Sequence, residues 1–220
     1  MMRNKLLIGL ILSSLSFVAL ADAAPAPAAA PSTPPDQVVQ QVAKSMFDDV
    51  NKDKDELQKS PDKLYDVVGK ALLPHFDFAL ASQLVLGKYW GTATAAQKKD
   101  FQDAFYSYLI RSYADALVKG NYSERNVQVQ PYRPGSDPNR AAVRTKVLPP
   151  SGQPIEVDFQ LRNENGEWKA FDVVIEGISY VQSYRGQFGP EVQAKGLDEL
   201  IQRLKTTKAP NAVTGKGTKG

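Results

Sequence analysis

Cysteine is absent from this chain of 220 residues, and histidine occurs once, as His75. The first absence excludes disulfides, thiolate-bound metals, a cysteine nucleophile and a lipid-modified N-terminal cysteine; the second excludes a histidine-rich metal centre. There is no glycine-rich phosphate loop to cradle a nucleotide. An excess of one charge is also missing. Lys and Arg number 27 against 24 Asp and Glu, and the basic residues are scattered rather than striped, so the chain has no nucleic-acid footprint.

Apolar runs long enough to cross a bilayer are lacking too. The run from Leu6 to Leu20 falls short of the ~20 residues a spanning helix needs, and no later stretch is longer. Arg3 and Lys5 precede it, and Ala19-Leu20-Ala21 or Ala21-Asp22-Ala23 supplies a small-x-small cleavage pattern. Residues 1–23 therefore read as a secretory signal peptide and the mature protein as soluble and exported, the alternative being a retained leader that serves as an anchor. Residues 24–35 are rich in Ala and Pro and read as an extended tether. Residues 207–220 lack apolar anchors and read as a disordered tail. The remainder, 36–206, has the size of a single domain.

That domain opens with helices. Val38, Val39, Val42, Met46, Phe47 and Val50 recur at helical spacing. Ser60-Pro61 offers a cap and a first-turn proline to a helix with Leu64, Val67, Val68, Ala71 and Leu72 on one face, and Pro74 stops it. A shorter helix holds Phe76, Ala79, Leu80 and Leu84 and ends at Gly87. The longest runs from the capping box Thr94-Ala95-Ala96-Gln97 to Gly120. Its stripe is Phe101, Ala104, Phe105, Tyr108, Leu109, Ser112, Ala116 and Leu117, with Lys98, Asp103, Arg111 and Lys119 opposite.

After Gly120 the period changes to two. Val127 and Val129, then Val143, Thr145 and Val147, lead to a hairpin in which Ile155, Val157, Phe159 and Leu161 alternate with Glu156, Asp158, Gln160 and Arg162. Asn165-Gly166 is a tight-turn pair, and Phe171, Val173 and Ile175 answer on the return strand. Helices followed by a four-stranded meander indicate an α+β domain, with helices on one face of a curved antiparallel sheet. Val192, Leu197, Leu200, Ile201 and Leu204 add a last helical stripe, broken near Gly196.

The candidates for chemistry fail on spacing. Gly177-Ile178-Ser179-Tyr180-Val181 lacks the closing glycine of a nucleophile elbow, and His75 has no acidic partner fixed by local spacing. Asp49, Asn51 and Asp53 begin like a calcium loop, but Lys54 takes the glycine position and Ser60 the glutamate position. No catalytic residue, resident metal or cofactor is expected.

A set of separate motifs falls in one order: Leu73-Pro74-His75-Phe76-Asp77-Phe78, Leu86-Gly87-Lys88-Tyr89-Trp90, and Ala93-Thr94-Ala95-Ala96-Gln97 with Phe101, Phe105 and Leu109. Ser112-Tyr113-Ala114, Trp168-Lys169-Ala170-Phe171-Asp172-Val173, Glu176-Gly177-Ile178-Ser179, Tyr184-Arg185 and Lys195-Gly196-Leu197-Asp198 continue it. Over residues 37–206 this series resembles the MlaC family of periplasmic phospholipid shuttles, also called toluene-tolerance auxiliary proteins. The resemblance implies a nuclear-transport-factor-like curved sheet joined to a helical subdomain around a cavity for acyl chains. It implies a non-enzymatic carrier in the periplasm that takes phospholipid as cargo and maintains outer-membrane lipid asymmetry. The implied partners are an outer-membrane lipoprotein-porin complex and an inner-membrane ABC transporter with a ring-forming lipid-binding subunit.

On this reading the cavity walls are Leu80 and Leu84; Phe105, Tyr108, Leu109, Tyr113 and Leu117; and Val147, Val157, Phe159, Phe171, Val173 and Ile175. Ile178, Val181 and Tyr184 close the mouth, and Arg144, Lys146 and Arg185 form a headgroup rim. Two other classes fit the same pattern: an isomerase-like enzyme with an inward carboxyl group such as Asp172, or a periplasmic adaptor with a filled core and no ligand.

Overall fold

The computed structural model describes residues 33–119, 122–149 and 152–209, so the signal peptide, most of the tether, Gly120 and the end of the tail lie outside the described residues. The helices are α1 (Pro35–Lys52), α2 (Lys54–Leu57), α3 (Pro61–Leu72), α4 (Phe78–Leu86), α5 (Lys88–Thr92) and α6 (Ala95–Lys119). Strands β1 (Val127–Val129), β2 (Arg140–Val147), β3 (Ile155–Glu164), β4 (Glu167–Ile175) and β5 (Ile178–Ser179) follow, then α7 (Tyr180–Lys195) and α8 (Leu197–Thr206). Pro35 is the first residue of α1, where its missing N–H costs no hydrogen bond, and it is buried; the tether therefore ends one residue earlier than expected.

Helix α6 is the axis of the helical part. Its start is the expected capping box: Thr94 N–H donates to Gln97 Oε1 at 3.1 Å and Gln97 N–H to Thr94 Oγ1 at 3.2 Å. The expected single stripe is corrected. Phe101, Ala104, Phe105 and Tyr108 enter a core with α4, α7 and α8, whereas Ile110, Ala114 and Val118 enter a second core with Val50, Leu57, Leu64 and Val68 of α1, α2 and α3. A helix that supports neighbours on two sides needs apolar residues on both, which blurs the amphipathic signal. Ala116 is exposed, and Arg111 is no surface charge: its guanidinium donates to the carbonyls of Leu204 and Thr207. Those carbonyls close α8, where the last turn lacks intrahelical donors. Residues 207–209, assigned above to the tail, lie along α6, with Ala209 N–H donating to Ser112 Oγ at 2.7 Å.

The five strands pair antiparallel in chain order, one more than expected because β5 adds a short rung to β4. Asn165 and Gly166 take φ of +53° and +90°, the turn their sequence demands. The register puts Ala141, Val143, Thr145 and Val147 beside Leu161, Phe159, Val157 and Ile155 on one face, called inner here. Val39 of α1 packs there with Ala141, Val143, Leu161, Trp168 and Ala170 as a third core. The outer face carries Arg140, Arg144 and Lys146 opposite Arg162, Asp158 and Glu156.

A joint before α4 ties the helical core to the sheet. Phe76 packs against both the first and third cores. Next to it, Asp77 N–H donates to the Ala170 carbonyl at 2.7 Å, its Oδ1 accepts from Leu80 N–H at 2.9 Å to cap α4, and its carboxylate pairs with Arg162. Asp77→Ala removes the cap and one of the two carboxylates paired with Arg162, Glu164 being the other, and should lower unfolding stability by about 2 kcal/mol in urea titrations. An unchanged midpoint would show that this joint is not structural.

Candidate functional site

The inner face is buried at one end and only half-buried at the other. Where α1 lies on it, Ala141, Val143, Leu161, Trp168 and Ala170 are buried. Further along, Val147, Ile155, Val157, Val173 and Ile175 are only half-buried and belong to none of the three cores, while Phe159 packs at the margin of the third. In register they form an apolar strip: Val157 beside Ile175 beside Ile178, and Phe159 beside Val173. Five of the six sheet residues expected as walls lie on it. Ile155 belongs to it as well, announced by the same alternation.

Where α6 meets the start of α7, next to β5, tyrosines cluster. Tyr113 and Tyr184 hydroxyls are hydrogen-bonded at 2.7 Å, and the Tyr180 ring lies 5.8 Å from that of Tyr113. Sequence reasoning passed over Tyr180, although it stands four residues before Tyr184 and eight before Phe188. Leu84 and Leu109 sit half-buried against the first core and Leu117 against the second.

Several expected positions are corrected. Phe105, Tyr108, Val181 and Tyr184 are sealed into the helical core by edge-on ring contacts such as Phe105–Tyr184 at 5.2 Å, with Phe105 3% and Tyr108 1% exposed; they offer a ligand no free surface in this conformation. The buried face of α4 is Ala81, Ser82, Val85 and Leu86, which leaves Leu80 and Leu84 at its flanks. Phe171 is the extra residue of a β-bulge opposite Gln160 and Leu161, and its ring lies under the Arg140 guanidinium at 4.7 Å, on the outer face. A bulge reverses the alternation, so Phe171 leaves the strip. Ile178, expected to close the mouth, is 60% exposed at the edge.

The rim is not assembled as expected. Arg144 and Lys146 alternate with Val143, Thr145 and Val147 and so point from the outer face, opposite Asp158 and Glu156. Arg185 is exposed on α7, with its guanidinium about 3.0 Å from where a Cβ on Gly87 would stand. Gly87 has φ +53°, so the close approach and the backbone both require glycine there.

Asp172 and Ser179, near the strip, are engaged in structure. Asp172, the carboxyl group an isomerase would need inward, accepts from Val181 N–H at 3.0 Å and from Ser179 Oγ at 2.5 Å. Ser179 in turn accepts from Gln182 N–H, so both residues cap α7. His75 lies elsewhere, in an open cleft of about 430 Å³ with Val38, Val42, Ala71, Pro74 and Trp168. Among the described residues no cluster could hold a metal ion, and no helix is long and apolar enough to cross a membrane.

Electrostatics mark the tyrosines. Burial raises the pKa of Tyr113, Tyr180 and Tyr184, and for Tyr184 the hydrogen bond with Tyr113 adds to the rise. A folded-state pKa above the unfolded one contributes stability that is complete below the unfolded value and fades as pH climbs. The urea midpoint should therefore hold at neutral pH and fall above about pH 10, where unfolded tyrosines ionise. Tyr184→Phe should flatten that fall; an identical alkaline slope would contradict the assignment.

Three comparisons bear on this arrangement. The family model described as MlaC protein matches residues 40–206. The intermembrane phospholipid transport system binding protein MlaC of Haemophilus influenzae is 29% identical over 175 residues, 78% of this chain and 81% of that protein. The toluene tolerance protein ttg2D of Pseudomonas putida is 31% identical over 165 residues, 74% of this chain and 75% of that protein. Among solved structures, the phospholipid-binding protein from Ralstonia solanacearum in complex with a phospholipid superposes with a TM-score of 0.61 at 29% identity, covering 75% of this chain and 93% of that one.

Proposed function

The chain belongs to the MlaC family, and on that footing we propose that it is a phospholipid carrier that shelters acyl chains against the open end of its inner sheet face. The observation that carries the proposal is the strip of half-buried Val147, Ile155, Val157, Val173 and Ile175, apolar side chains outside all three packed cores. A relative of the same fold binds phospholipid.

Energetics favour enclosure over surface adhesion. At about 0.8 kcal/mol per methylene, exposing a sixteen-carbon chain to water costs roughly 12 kcal/mol, and two chains about twice that. Only a covered hydrocarbon surface offsets such a cost during an aqueous crossing. The headgroup needs no such cover and stays at the opening. With residues 1–23 removed on export, the carrier works in the periplasm. It receives and delivers lipid at an outer-membrane lipoprotein-porin complex and an inner-membrane ABC transporter with a ring-forming lipid-binding subunit. No bond in the cargo changes, in keeping with Asp172 and Ser179 being engaged as caps of α7.

Organic extraction of the purified mature protein followed by lipid mass spectrometry should find intact phospholipid in stoichiometric amount. Nothing extracted would instead indicate an adaptor with a filled core, and a chemically altered lipid would indicate an enzyme. Val173→Glu places a charge on the strip and should cut bound lipid by more than about tenfold, with cooperative melting retained. Undiminished lipid in that variant would move the binding surface elsewhere.

A further inference from the structure

The three tyrosines where α6 meets the start of α7 are not equivalent. Tyr113 and Tyr184 satisfy one another through their 2.7 Å hydrogen bond. The hydroxyl of Tyr180 is buried beside them without a hydrogen bond of good geometry: Tyr113, its ring 5.8 Å away, is near enough to affect its ionisation, and the Tyr184 ring lies 6.1 Å away. An enclosed hydroxyl without a partner is costly, and phenylalanine would fill the same volume without that cost.

Its position suggests what the hydroxyl is for. The row Val157, Ile175 and Ile178 carries the apolar strip across three strands to the sheet edge. Two residues beyond Ile178, Tyr180 turns toward Tyr113 of α6. Tyr180 thus begins α7 next to the edge at which the row of apolar side chains ends. We propose that the Tyr180 hydroxyl donates a hydrogen bond to an ester carbonyl oxygen of the bound phospholipid and so sets how deep the acyl chains sit.

This rests on the carrier function proposed above. The acceptor is the carbonyl rather than the phosphate because the surroundings of the hydroxyl are neutral. Burial and the neighbouring Tyr113 account for its raised pKa, and no cation is among the causes. A phosphate drawn to this depth would be an uncompensated buried charge, whereas a neutral carbonyl gains a partner. Parting Tyr180 from Tyr113 separates rings and gives up no hydrogen bond of good geometry, so the donor is released at little polar cost.

The test is a competition. Purified mature protein is incubated with vesicles containing equal amounts of a diacyl phospholipid and its diether analogue of the same chains and headgroup. The protein is then recovered and its lipid extracted for mass spectrometry. Wild type should favour the ester lipid about fivefold, the worth of one neutral hydrogen bond. Tyr180→Phe should take up both equally, while its lipid-free form melts no lower than wild type because an unpaired hydroxyl has gone. A preference that survives in Tyr180→Phe overturns the proposal. An equal loss of both lipids overturns it too, since the acceptor would then be the phosphate, and so does a lower melting temperature with preference intact, which marks a structural hydroxyl. Wild type that takes up neither lipid would fail the carrier function itself and this inference with it.

Discussion

A sheet with one apolar face cannot leave that face in water, and here a single helix covers only half of it. Helix α1 lies on the Ala141, Val143, Leu161, Trp168 and Ala170 end. The other end, from Val147 to Ile175, stays half-buried and outside the three packed cores. Nearly every other feature follows from this uneven cover. Helix α6 does not spread onto the sheet; it is occupied by its own neighbours, packing on α3, α4 and α8. Its aromatic side chains Phe101, Phe105 and Tyr108 go into the helical core, and Tyr113 meets Tyr180 and Tyr184 of α7.

Such a layout needs rigid parts joined at few points. The first core unites α4, α6, α7 and α8, and Glu191 with Arg203 links the last two through two parallel contacts of 2.7 Å. That bidentate geometry fixes orientation as well as distance. The sheet is stiffened by its ladder and by α1. Between these bodies stand Phe76, which touches both, and Asp77, which bonds the β4 edge, caps α4 and pairs with Arg162. Asp172 does the corresponding work at the start of α7. The two carboxylates thus hold the starts of α4 and α7 to β4, and both are engaged there as caps.

Much of this was legible in the residues. The Asn165-Gly166 turn, the alternation along β3 and the Thr94–Gln97 box each express a local rule, and each recurs in the fold. The outward direction of Arg144 and Lys146 was legible as well, since they alternate with Val143 and Val147. What escaped depends on tertiary context. Phe171 reads as inward until a bulge reverses its side. Helix α7 buries Val181, Tyr184, Phe188 and Val192, yet Gly186, Gly189 and Pro190 interrupt its pattern and hide its first turns. Helix α6 reads as one-sided because a stripe search cannot anticipate a second set of neighbours. Sealed aromatic rings and cavity walls also look alike in sequence, because both are simply apolar.

The two tryptophans divide between these bodies. Trp168 is buried in the sheet core, and Trp90 sits half-buried against the helical one with the Lys98 ammonium 5.3 Å from its ring. Each half of the molecule therefore carries its own built-in fluorophore, in a distinct dielectric setting. With one indole silenced by substitution, emission from the other would report on its body alone. Cargo loading, release and denaturation could then be followed optically in the unlabelled polypeptide.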